Sequence, residues 1–398
     1  MSDKTKTTAT KEEATSALVP KMRFPQFREA GAWKSKRLGD LFSDRQESGL
    51  TGLPLLSLMD KEGIVPQEDS NRKNNSNSDK SKYLRVVPGD IAYNTMRMWE
   101  GRSALVGLEG LVSPAYTVCE PRPGVHSLLF SYYFKTPQLI EQFRRYSQGL
   151  VKDTLNLKYP AFAQISAPIP TFPEQQKIAE CLSSVDELMA AQTRKVEALK
   201  THKKGLMQQL FPREGETQPR LRFPEFKGEW NSAALGELCF SISSGKDQRD
   251  ADGAFDLYGS TGIIGKTAAA SYDTPHILVA RVGANAGHLT KAIGQFGVTD
   301  NTLVISLKLV ASIDYIFHYL RNININKLIF GSGQPLITGS ILKAQRVFVP
   351  TATEQSKISN CLSSIDDLIY AESDKLEALK AHKNGLMQQL FPSAEEVE

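Results

Sequence analysis

The sequence has no apolar run of about eighteen residues, the length that suggests a transmembrane helix, and no secretory signal. Its four cysteines are scattered without a C-x-x-C pair, and its six histidines are equally dispersed. Zinc sites and disulfide frameworks require closer or paired spacings. The sequence therefore predicts a cytosolic protein without a metal site or a disulfide framework.

Motifs typical of catalytic and nucleotide-binding proteins are also missing. There is no G-x-S-x-G elbow, no H-E-x-x-H helix and no EF-hand loop. The stretch GSTGIIGKT, from Gly259 to Thr267, is not a phosphate-binding loop, because that motif requires glycine where Ser260 stands. The acidic pairs Asp186-Glu187 and Asp366-Asp367 point to different faces of a helix and are interpreted as solvated charges. We expect no catalytic residue and no cofactor bound by this chain.

Composition is that of a globular protein, with 40% hydrophobic and 23% charged residues. A length of 398 residues predicts two or three domains. The formal net charge of +4 is mildly basic. It is compatible with a nucleic-acid partner but does not require one.

One long segment occurs twice. Residues 174–212 read EQQKIAECLSSVDELMAAQTRKVEALKTHKKGLMQQLFP, and residues 354–392 read EQSKISNCLSSIDDLIYAESDKLEALKAHKNGLMQQLFP. The offset is 180 residues without a gap, and 26 of the 39 positions are identical. A repeat at this distance indicates two duplicated units of domain size rather than a short-repeat array.

Apolar residues in both copies recur at alternating steps of four and three, which is typical of a coiled-coil seam. A helix of about 37 residues would be roughly 55 Å long, and two such helices could pair with each other. The alternative is that each helix is buried against its own domain. Polar residues that interrupt the seam, such as Gln192 and Glu372, would fix its register. The predicted seam comprises Ile178, Leu182, Val185, Met189, Val196, Leu199, Leu206, Leu210, Ile358, Leu362, Ile365, Ile369, Leu376, Leu379, Leu386 and Leu390.

A second repeat precedes each long helix. The segment from Pro20 reads PKMRFPQFREAGAWKSKRLGDLFS, and that from Pro219 reads PRLRFPEFKGEWNSAALGELCFS. Because Trp33 and Trp230 recur within this repeat, both are interpreted as core anchors rather than base-stacking residues. Each half of the chain thus has the same order: an RFP segment, a variable body and a long helix.

The two bodies also correspond to each other. Aligning Ile91 with Ile277, an offset of 186, also aligns Gly101 with Gly287 and Ser113 with Thr299. Short apolar runs between turns predict strands near 91–94 and 277–280, and helices over 128–145 and 312–322. The predicted division is a disordered tail (1–19), a first globular domain (20–170), a central helix (171–212), a linker (213–220), a second globular domain (221–350), a C-terminal helix (351–392) and a tail (393–398).

These motifs together resemble a known family. The twin EQxKI…LMQQLFP helices, the RFPxF…W…LG segments, PGDIAYN, YGSTGIIGK, ILVARVGANAG and DNTLVIS are similar to those of specificity subunits of type I restriction–modification enzymes. The resemblance covers residues 20–392. It implies an α/β (α+β) fold with two similar target recognition domains, joined by two long antiparallel helices in a coiled coil with pseudo-two-fold symmetry.

The resemblance also implies partners. Each domain would read one half of a split site in double-stranded DNA, and the helices would hold the domains apart and dock two modification (methyltransferase) subunits. Those subunits would carry S-adenosylmethionine and methylate adenine, and restriction subunits would add ATP- and Mg-dependent translocation and cleavage. The chain itself would be a non-catalytic subunit. A rod of roughly 55 Å matches about one and a half turns of DNA, at about 3.4 Å per base pair.

Residues that contact DNA are predicted by type and position. Base edges are read by Arg, Lys, Asn and Gln, and phosphates are bound by Lys and Arg. In the first body the candidates are Arg72, Lys73, Lys80, Lys82, Asn94, Arg97, Arg102, Gln148 and Lys152. In the second body they are Lys246, Ser260, Thr261, Lys266, Arg281, Asn285 and Gln334. For each of them the alternative is a solvated surface side chain.

Two other functions remain open at this point. A non-enzymatic scaffold would use the helices as an adaptor and the bodies to bind proteins, and DNA binding by the assembled complex would separate it from the DNA-reading function. A self-sufficient nuclease is disfavoured by the missing methylase and nuclease motifs, and cleavage by the isolated chain would revive it.

Overall fold

The computed structural model describes residues 19–59, 63–70, 79–329 and 335–392. Both tails lie largely outside these ranges, so the predicted disorder of residues 1–19 is not addressed. None of the helices in the described ranges is long and apolar enough to cross a membrane. The described residues divide into two compact units. Unit 1 comprises residues up to Ala191 and from Leu376 onward, and unit 2 comprises Gln192–Lys375.

Unit 1 contains a four-stranded antiparallel sheet and smaller strand pairs. Its helices are α1 (Leu38–Leu41), α2 (Ser127–Tyr133), α3 (Pro137–Tyr146) and α4 (Tyr159–Phe162). Its strands are β1 (Lys34–Arg37), β2 (Phe42–Asp44), β3 (Leu56–Met59), β4 (Gly63–Pro66), β5 (Leu84–Val86), β6 (Ile91–Asn94), β7 (Ser103–Leu105), β8 (Gly110–Val112), β9 (Tyr116–Pro121) and β10 (Ser166–Ile169). The sheet has the order β2-β9-β6-β7, and β1-β10, β3-β4 and β5-β8 form separate pairs.

Unit 2 repeats this plan. It is entered along the long helix α5 (Phe172–Leu210) and left along α8 (Ala352–Gln389), with α6 (Ile313–Ile323) and α7 (Gly339–Ala344) in its body. Its strands are β11 (Asn231–Ala234), β12 (Cys239–Ser244), β13 (Phe255–Gly259), β14 (Gly262–Thr267), β15 (His276–Ala280), β16 (Leu289–Ala292), β17 (Phe296–Val298), β18 (Thr302–Leu307) and β19 (Arg346–Val349). The order β12-β18-β15-β16 and the pair β11-β19 match their counterparts in unit 1, and β14-β13-β17 forms a third sheet.

Several sequence predictions are modified by the structure. The helix predicted over 128–145 is two helices, because Pro137 lacks a backbone N–H and starts a new helix, α3. The GSTGIIGKT stretch forms the turn and the second strand of the β13–β14 hairpin, so it is part of a sheet and not a phosphate-binding loop. The long helices begin at Phe172 and Ala352, so Pro173 lies in the first turn of α5, where proline is tolerated.

The ends of the long helices belong to the body cores. In unit 1, Ile178 and Leu182 from the start of α5 and Leu390 from the end of α8 join a core cluster with Trp33 and Tyr133. In unit 2, Leu210 and Phe211 at the end of α5, and Ile358 and Leu362 at the start of α8, do the same with Trp230 and Tyr315. The alternative interpretation, in which a long helix is buried against a domain, therefore applies to the helix ends.

Between their ends the helices pair with each other, which is visible within unit 2. Gln192 of α5 bonds Glu372 of α8, and further along α5 Lys203 forms an ion pair with Asp366. Residue numbers rise on one helix as they fall on the other, so the pair is antiparallel. Every predicted seam residue is buried or half-buried, as a seam that packs against another surface requires.

Candidate nucleic-acid interface

Each body holds its central strand in the same way at the point where that strand ends. In unit 1, the Thr95 N–H donates to the Ala115 carbonyl at 3.1 Å, and the Thr95 carbonyl accepts from the Leu157 N–H at 2.8 Å. In unit 2, the Arg281 N–H donates to the Asn301 carbonyl and the Arg281 carbonyl accepts from the Ile337 N–H, both at 2.9 Å. Position 95 of unit 1 thus corresponds to position 281 of unit 2, as the offset of 186 predicts.

The turn that follows the strand is equivalent too. The Asn94 N–H donates to the Arg102 carbonyl at 3.2 Å, and the Ala280 N–H donates to the His288 carbonyl at 2.9 Å. Each turn closes on a left-handed glycine: Gly101 has φ 76° and Gly287 has φ 84°. Such φ values favour glycine because it has no Cβ. Two diverged sequences therefore present their side chains from one backbone frame.

Four segments of unit 2 meet beside this strand end, and we call them the unit 2 edge: residues 245–247, 258–261, 281–285 and 298–302. Strand β13 runs parallel to β17, and the Thr299 N–H donates to the Tyr258 carbonyl at 3.0 Å. The Gly245 N–H donates to the Thr302 carbonyl at 3.1 Å, and the Asp247 N–H donates to the Val298 carbonyl at 2.9 Å. These bonds place Lys246 and the Ser260–Thr261 turn next to residues 298–302.

Several polar atoms at the unit 2 edge are buried without a hydrogen-bond partner in the described ranges. They are Nε of Arg281 and the Oγ1 atoms of Thr299 and Thr302. Burying a polar group without a hydrogen bond costs free energy. The unit 2 edge therefore carries polar atoms whose hydrogen bonding is incomplete within the described ranges. Its exposed residues include Lys246, Asn285 and Asn301.

The corresponding surface of unit 1, the unit 1 edge, consists of residues 94–102, 113–116 and 148–157. Gln148 and Asn156 exchange two backbone bonds of 2.8 Å, which closes a hairpin whose tip carries the exposed Lys152. Leu157 ties this hairpin to Thr95. Arg97 and Arg102 lie in the adjoining turn, and each forms an ion pair with Glu100, at 3.0 and 3.1 Å.

The sequence-predicted DNA contacts fall into three groups. The structure brings Asn94, Arg97, Arg102, Gln148 and Lys152 to the unit 1 edge, and Lys246, Ser260, Thr261, Arg281 and Asn285 to the unit 2 edge. Lys266 lies apart: the hairpin register pairs it with Asp256, away from the turn, and their side chains form an ion pair of 2.8 Å. Lys80 stands 4.7 Å from the ring centroid of Tyr83, and Lys82 is exposed in the same turn before β5. Arg72, Lys73 and Gln334 lie outside the described residues.

Sequence reasoning missed one segment in each unit, the one that the other segments of the edge surround. Thr299, Asp300 and Asn301 in unit 2 correspond to Ser113, Pro114 and Ala115 in unit 1. The signal was available, because the 186-residue offset already aligned Ser113 with Thr299. At this segment the bodies share backbone bonding and differ in side-chain chemistry.

The paired helices carry a polar cluster in their middle. Glu372 is buried, and its carboxylate accepts from the Gln192 side chain at 2.7 Å. Lys195 and Lys375 also reach this carboxylate, at 3.0 and 2.9 Å. The Gln192 hydrogen bond, followed by the two ammonium groups, lowers the pKa of Glu372 to about 2. Gln192 and Glu372 are equivalent positions of the repeat, so the two copies meet here in register.

A second polar contact joins each body to the helix pair. In unit 1, Lys383 bonds Asp186 at 2.6 Å, and Asp186 also accepts from the Tyr132 hydroxyl at 2.8 Å. In unit 2, the equivalent of Tyr132 is His318, which is buried near the Lys203–Asp366 pair. Burial and the Lys203 charge lower the pKa of His318 to about 4. The two equivalent side chains, Tyr132 and His318, are thus both uncharged near pH 7.

Known proteins with similar sequences share one description. Residues 227–381 match the family model of the type I restriction modification DNA specificity domain. The specificity subunit of the type I restriction enzyme EcoprrI from Escherichia coli is 29% identical over 156 residues, 37% of this chain and 39% of that protein. The specificity subunit of the type I restriction enzyme MjaVIII from Methanocaldococcus jannaschii is 23% identical over 351 residues, 78% of this chain and 82% of that protein.

Solved structures agree on the fold. The S subunit of a type I restriction–modification system from M. genitalium has a TM-score of 0.61 at 15% identity, and the match covers 94% of this chain and all of that one. A structure described as showing complex assembly and conformational transition of the type I R-M system has a TM-score of 0.58 at 15% identity, covering 91% and 98%. At this identity the likeness establishes the fold.

Proposed function

Because the chain belongs to the family of type I restriction–modification DNA specificity subunits, we propose that it selects the DNA sequence on which a methylating and restricting complex acts. Each unit reads one half of a split site in double-stranded DNA. The observation that carries this proposal is the pair of edges. They share backbone bonding at positions 95 and 281 but present different side chains, as two readers of different half-sites require.

The two edges supply both kinds of DNA contact. Exposed lysines such as Lys152 and Lys246 are suited to phosphates, which fix position without reading sequence. Exposed amides such as Gln148, Asn285 and Asn301 are suited to base edges, because an amide donates and accepts at once. Asp300 is exposed in the same segment; an acid can accept from cytosine and disfavours contact with phosphate.

The long helices carry a matched pair of surfaces suited to two copies of one partner. We call them the helix strips: Cys181, Ser184, Leu188 and Ala191 in unit 1, and Cys361, Ser364, Leu368 and Ala371 in unit 2. The four residue types are identical in both, and steps of three and four place them on one face. Leu188 is 57% exposed and Leu368 is 43% exposed.

The serines of the helix strips do not make them polar. Ser184 donates to the Cys181 carbonyl at 2.8 Å, and Ser364 donates to the Cys361 carbonyl at 2.9 Å. Each hydroxyl thus bonds its own helix, and the strip presents small apolar groups around one leucine. A partner helix with a complementary apolar face can pack closely there. We propose that each helix strip docks one modification subunit.

Catalysis in this proposal belongs to the partners. The chain is a non-catalytic subunit that binds no cofactor. Modification subunits supply S-adenosylmethionine chemistry, and restriction subunits supply the ATP- and Mg-dependent steps. We propose that the complex acts in the cytoplasm.

The proposed function is tested by mapping methylated adenines in the host genome with this gene intact and deleted. We expect deletion to abolish methylation at one split, gapped motif, which would also identify both half-sites. Restoring the gene on a plasmid is the control. If the purified complex of this chain with its partners binds no DNA sequence preferentially, the DNA-reading function is wrong.

Docking is tested by the stoichiometry of the assembled complex. Leu188→Asp and Leu368→Asp each place a charge in one helix strip, so each variant should bind one modification subunit where the unaltered chain binds two. The control is Glu187→Gln, which changes an exposed neighbour of Leu188. Retention of two partners by both leucine variants in mass photometry would contradict this docking site.

A further inference from the structure

We propose that Arg281 reads a guanine in the half-site of unit 2, while its counterpart Thr95 makes no equivalent contact in the half-site of unit 1. This inference rests on the proposed function. It names one residue through which the two units would recognise different half-sites. The inference concerns the backbone position that Arg281 and Thr95 share. The remaining residues of each edge would make further DNA contacts around it.

The backbone fixes where the Arg281 side chain starts. The residue is bonded on one side to Asn301 and on the other to Ile337, both at 2.9 Å, at the end of the central strand. Three chain segments therefore hold one Cα position. A side chain that starts from a rigid strand end is better placed for recognition than one on a free loop, because less freedom is lost on binding.

Within the described ranges, the Arg281 side chain has no carboxylate partner, unlike other arginines of low exposure. Arg23, Arg45 and Arg222 are each bonded to a buried carboxylate, at 2.7, 2.8 and 2.7 Å respectively. Arg281 is half-buried, with its Nε buried and unbonded, and it forms no ion pair with any residue in the described ranges. A partly buried guanidinium without an acceptor is costly, and the cost is relieved when an acceptor arrives.

The surroundings favour a base over a phosphate. The nearest segment offers the hydroxyls of Thr299 and Thr302, both buried and unbonded, and the exposed amide of Asn301. A guanidinium whose Nε faces inward presents its remaining N–H groups as a fork. A fork in a fixed orientation matches O6 and N7 of guanine, the commonest specific contact of arginine with DNA. Lys246, which is exposed and flexible, is suited to the phosphate contact.

Thr95, the counterpart of Arg281 in unit 1, cannot make the same contact with a guanine. Its hydroxyl donates to the Ala115 carbonyl at 2.9 Å, so its donor is engaged within the protein. Its short side chain cannot form a fork. The two units thus hold the same backbone position and offer different chemistry there. The difference is a matter of one side chain and needs no change of fold.

The experiment begins with selection from a random double-stranded DNA library by the complex of this chain with its modification subunits. That step defines both half-sites of the unaltered protein. Equilibrium binding is then measured for Arg281→Ala and Arg281→Lys on the selected site and on each single base-pair change. Three control variants are measured beside them: Thr95→Ala at the equivalent position, Lys246→Ala as a phosphate contact, and Arg346→Ala on the exposed start of β19.

We expect both Arg281 variants to lose discrimination at one guanine of one half-site by about 5- to 150-fold, which corresponds to about 1–3 kcal/mol for a bidentate contact. The other half-site should be unaffected. Thr95→Ala should cause no loss of discrimination at a guanine, and Arg346→Ala should leave all base preferences unchanged. Lys246→Ala should weaken binding to all sequences alike and lower its salt dependence.

Two results would overturn the inference while leaving the proposed function intact. One is uniform weakening on all sequences by Arg281→Ala with full rescue by Arg281→Lys, which indicates a phosphate contact. The other is unchanged discrimination in both Arg281 variants. Should Arg281→Ala not fold, the Arg281→Lys result decides, provided that its melting temperature matches that of the unaltered chain. Selection of no split motif by the unaltered complex would overturn the proposed function itself.

Discussion

Replacing Glu174 by glutamine tests whether the RFP segment is fixed to unit 1 through a buried charge. The Glu174 side chain is 1% exposed at the start of α5. Its two oxygens accept from Nε and Nη2 of Arg23, both at 2.7 Å, and Oε1 also accepts from Nε1 of Trp33 at 3.2 Å. One carboxylate therefore joins two residues of the RFP segment to the long helix.

The expected loss follows from the burial of both partners. The Arg23 side chain is only 8% exposed, so the Glu174→Gln variant leaves a cation enclosed without a counter-charge. Breaking a buried pair in this way costs about 3–5 kcal/mol. For a unit of this size that loss lowers the melting temperature by about 6–20 °C.

Unit 2 contains a matched copy of this site with one difference. Glu354 is equally buried and binds Arg222 at 2.7 and 2.8 Å and Trp230 at 3.3 Å, but the Arg222 side chain is 22% exposed. Water can solvate Arg222 after the carboxylate is removed, so Glu354→Gln should cost less, about 2–3 kcal/mol. Denaturant unfolding of both variants is compared with that of Glu187→Gln, an exposed change expected to be nearly neutral.

The order of the two losses is the sharper part of this prediction. If Glu354→Gln is as costly as Glu174→Gln, solvent access to the arginine does not set the cost. If Glu174→Gln loses less than about 1 kcal/mol, the pair is worth no more than a surface salt bridge, and the proposed fixing of the RFP segment is wrong.

Other predictions concern pH and modularity. Because the pKa of His318 is lowered to about 4, the unfolded state binds its proton first, and stability should fall by about 3 kcal/mol between pH 6.5 and 4; urea unfolding should show a flatter pH profile for His318→Phe. The lowered pKa of Glu372 stabilises the fold above about pH 4.5, and that stability is lost as pH falls toward 2. Gln192→Glu places a second carboxylate there, so it should destabilise at pH 7 and recover as pH falls toward 5, and an unchanged melting temperature at pH 7 would contradict this. Exchange of residues 44–155 with those of another family member should change one half-site in library selection, and a change in both would refute modular reading.

Periodic features of the fold were predictable from the sequence. The heptad residues, for example Leu182 and Leu362, are buried as their spacing predicts, because helical periodicity depends on local sequence alone. Trp33 and Trp230 are core residues, as their recurrence in the RFP repeat indicates. The coupling of Arg23 to Glu174 was not predicted, because it joins residues 151 positions apart.

The edges were predictable only in part. Residue type alone selects Lys266 as readily as Lys246, yet the hairpin register places Lys266 away from the turn. Thr299 and Asn301 were missed because their place at the unit 2 edge follows from the segments around them and not from their residue type. Surfaces built from several loops depend on tertiary hydrogen bonds, and those bonds have no local sequence signature.

The two kinds of repeat in this chain are under different physical constraints. In the proposed function, a helix strip fits a partner that is the same on both sides, which agrees with the identity of its four residue types in the two copies. An edge, in the same proposal, fits a half-site that differs, which agrees with shared backbone bonding and different side chains at Thr95 and Arg281. Divergence is tolerated there because the frame is held by main-chain bonds, which do not depend on side-chain identity. A change of target specificity therefore requires new side chains at an edge and no change in the strands or helices that hold it.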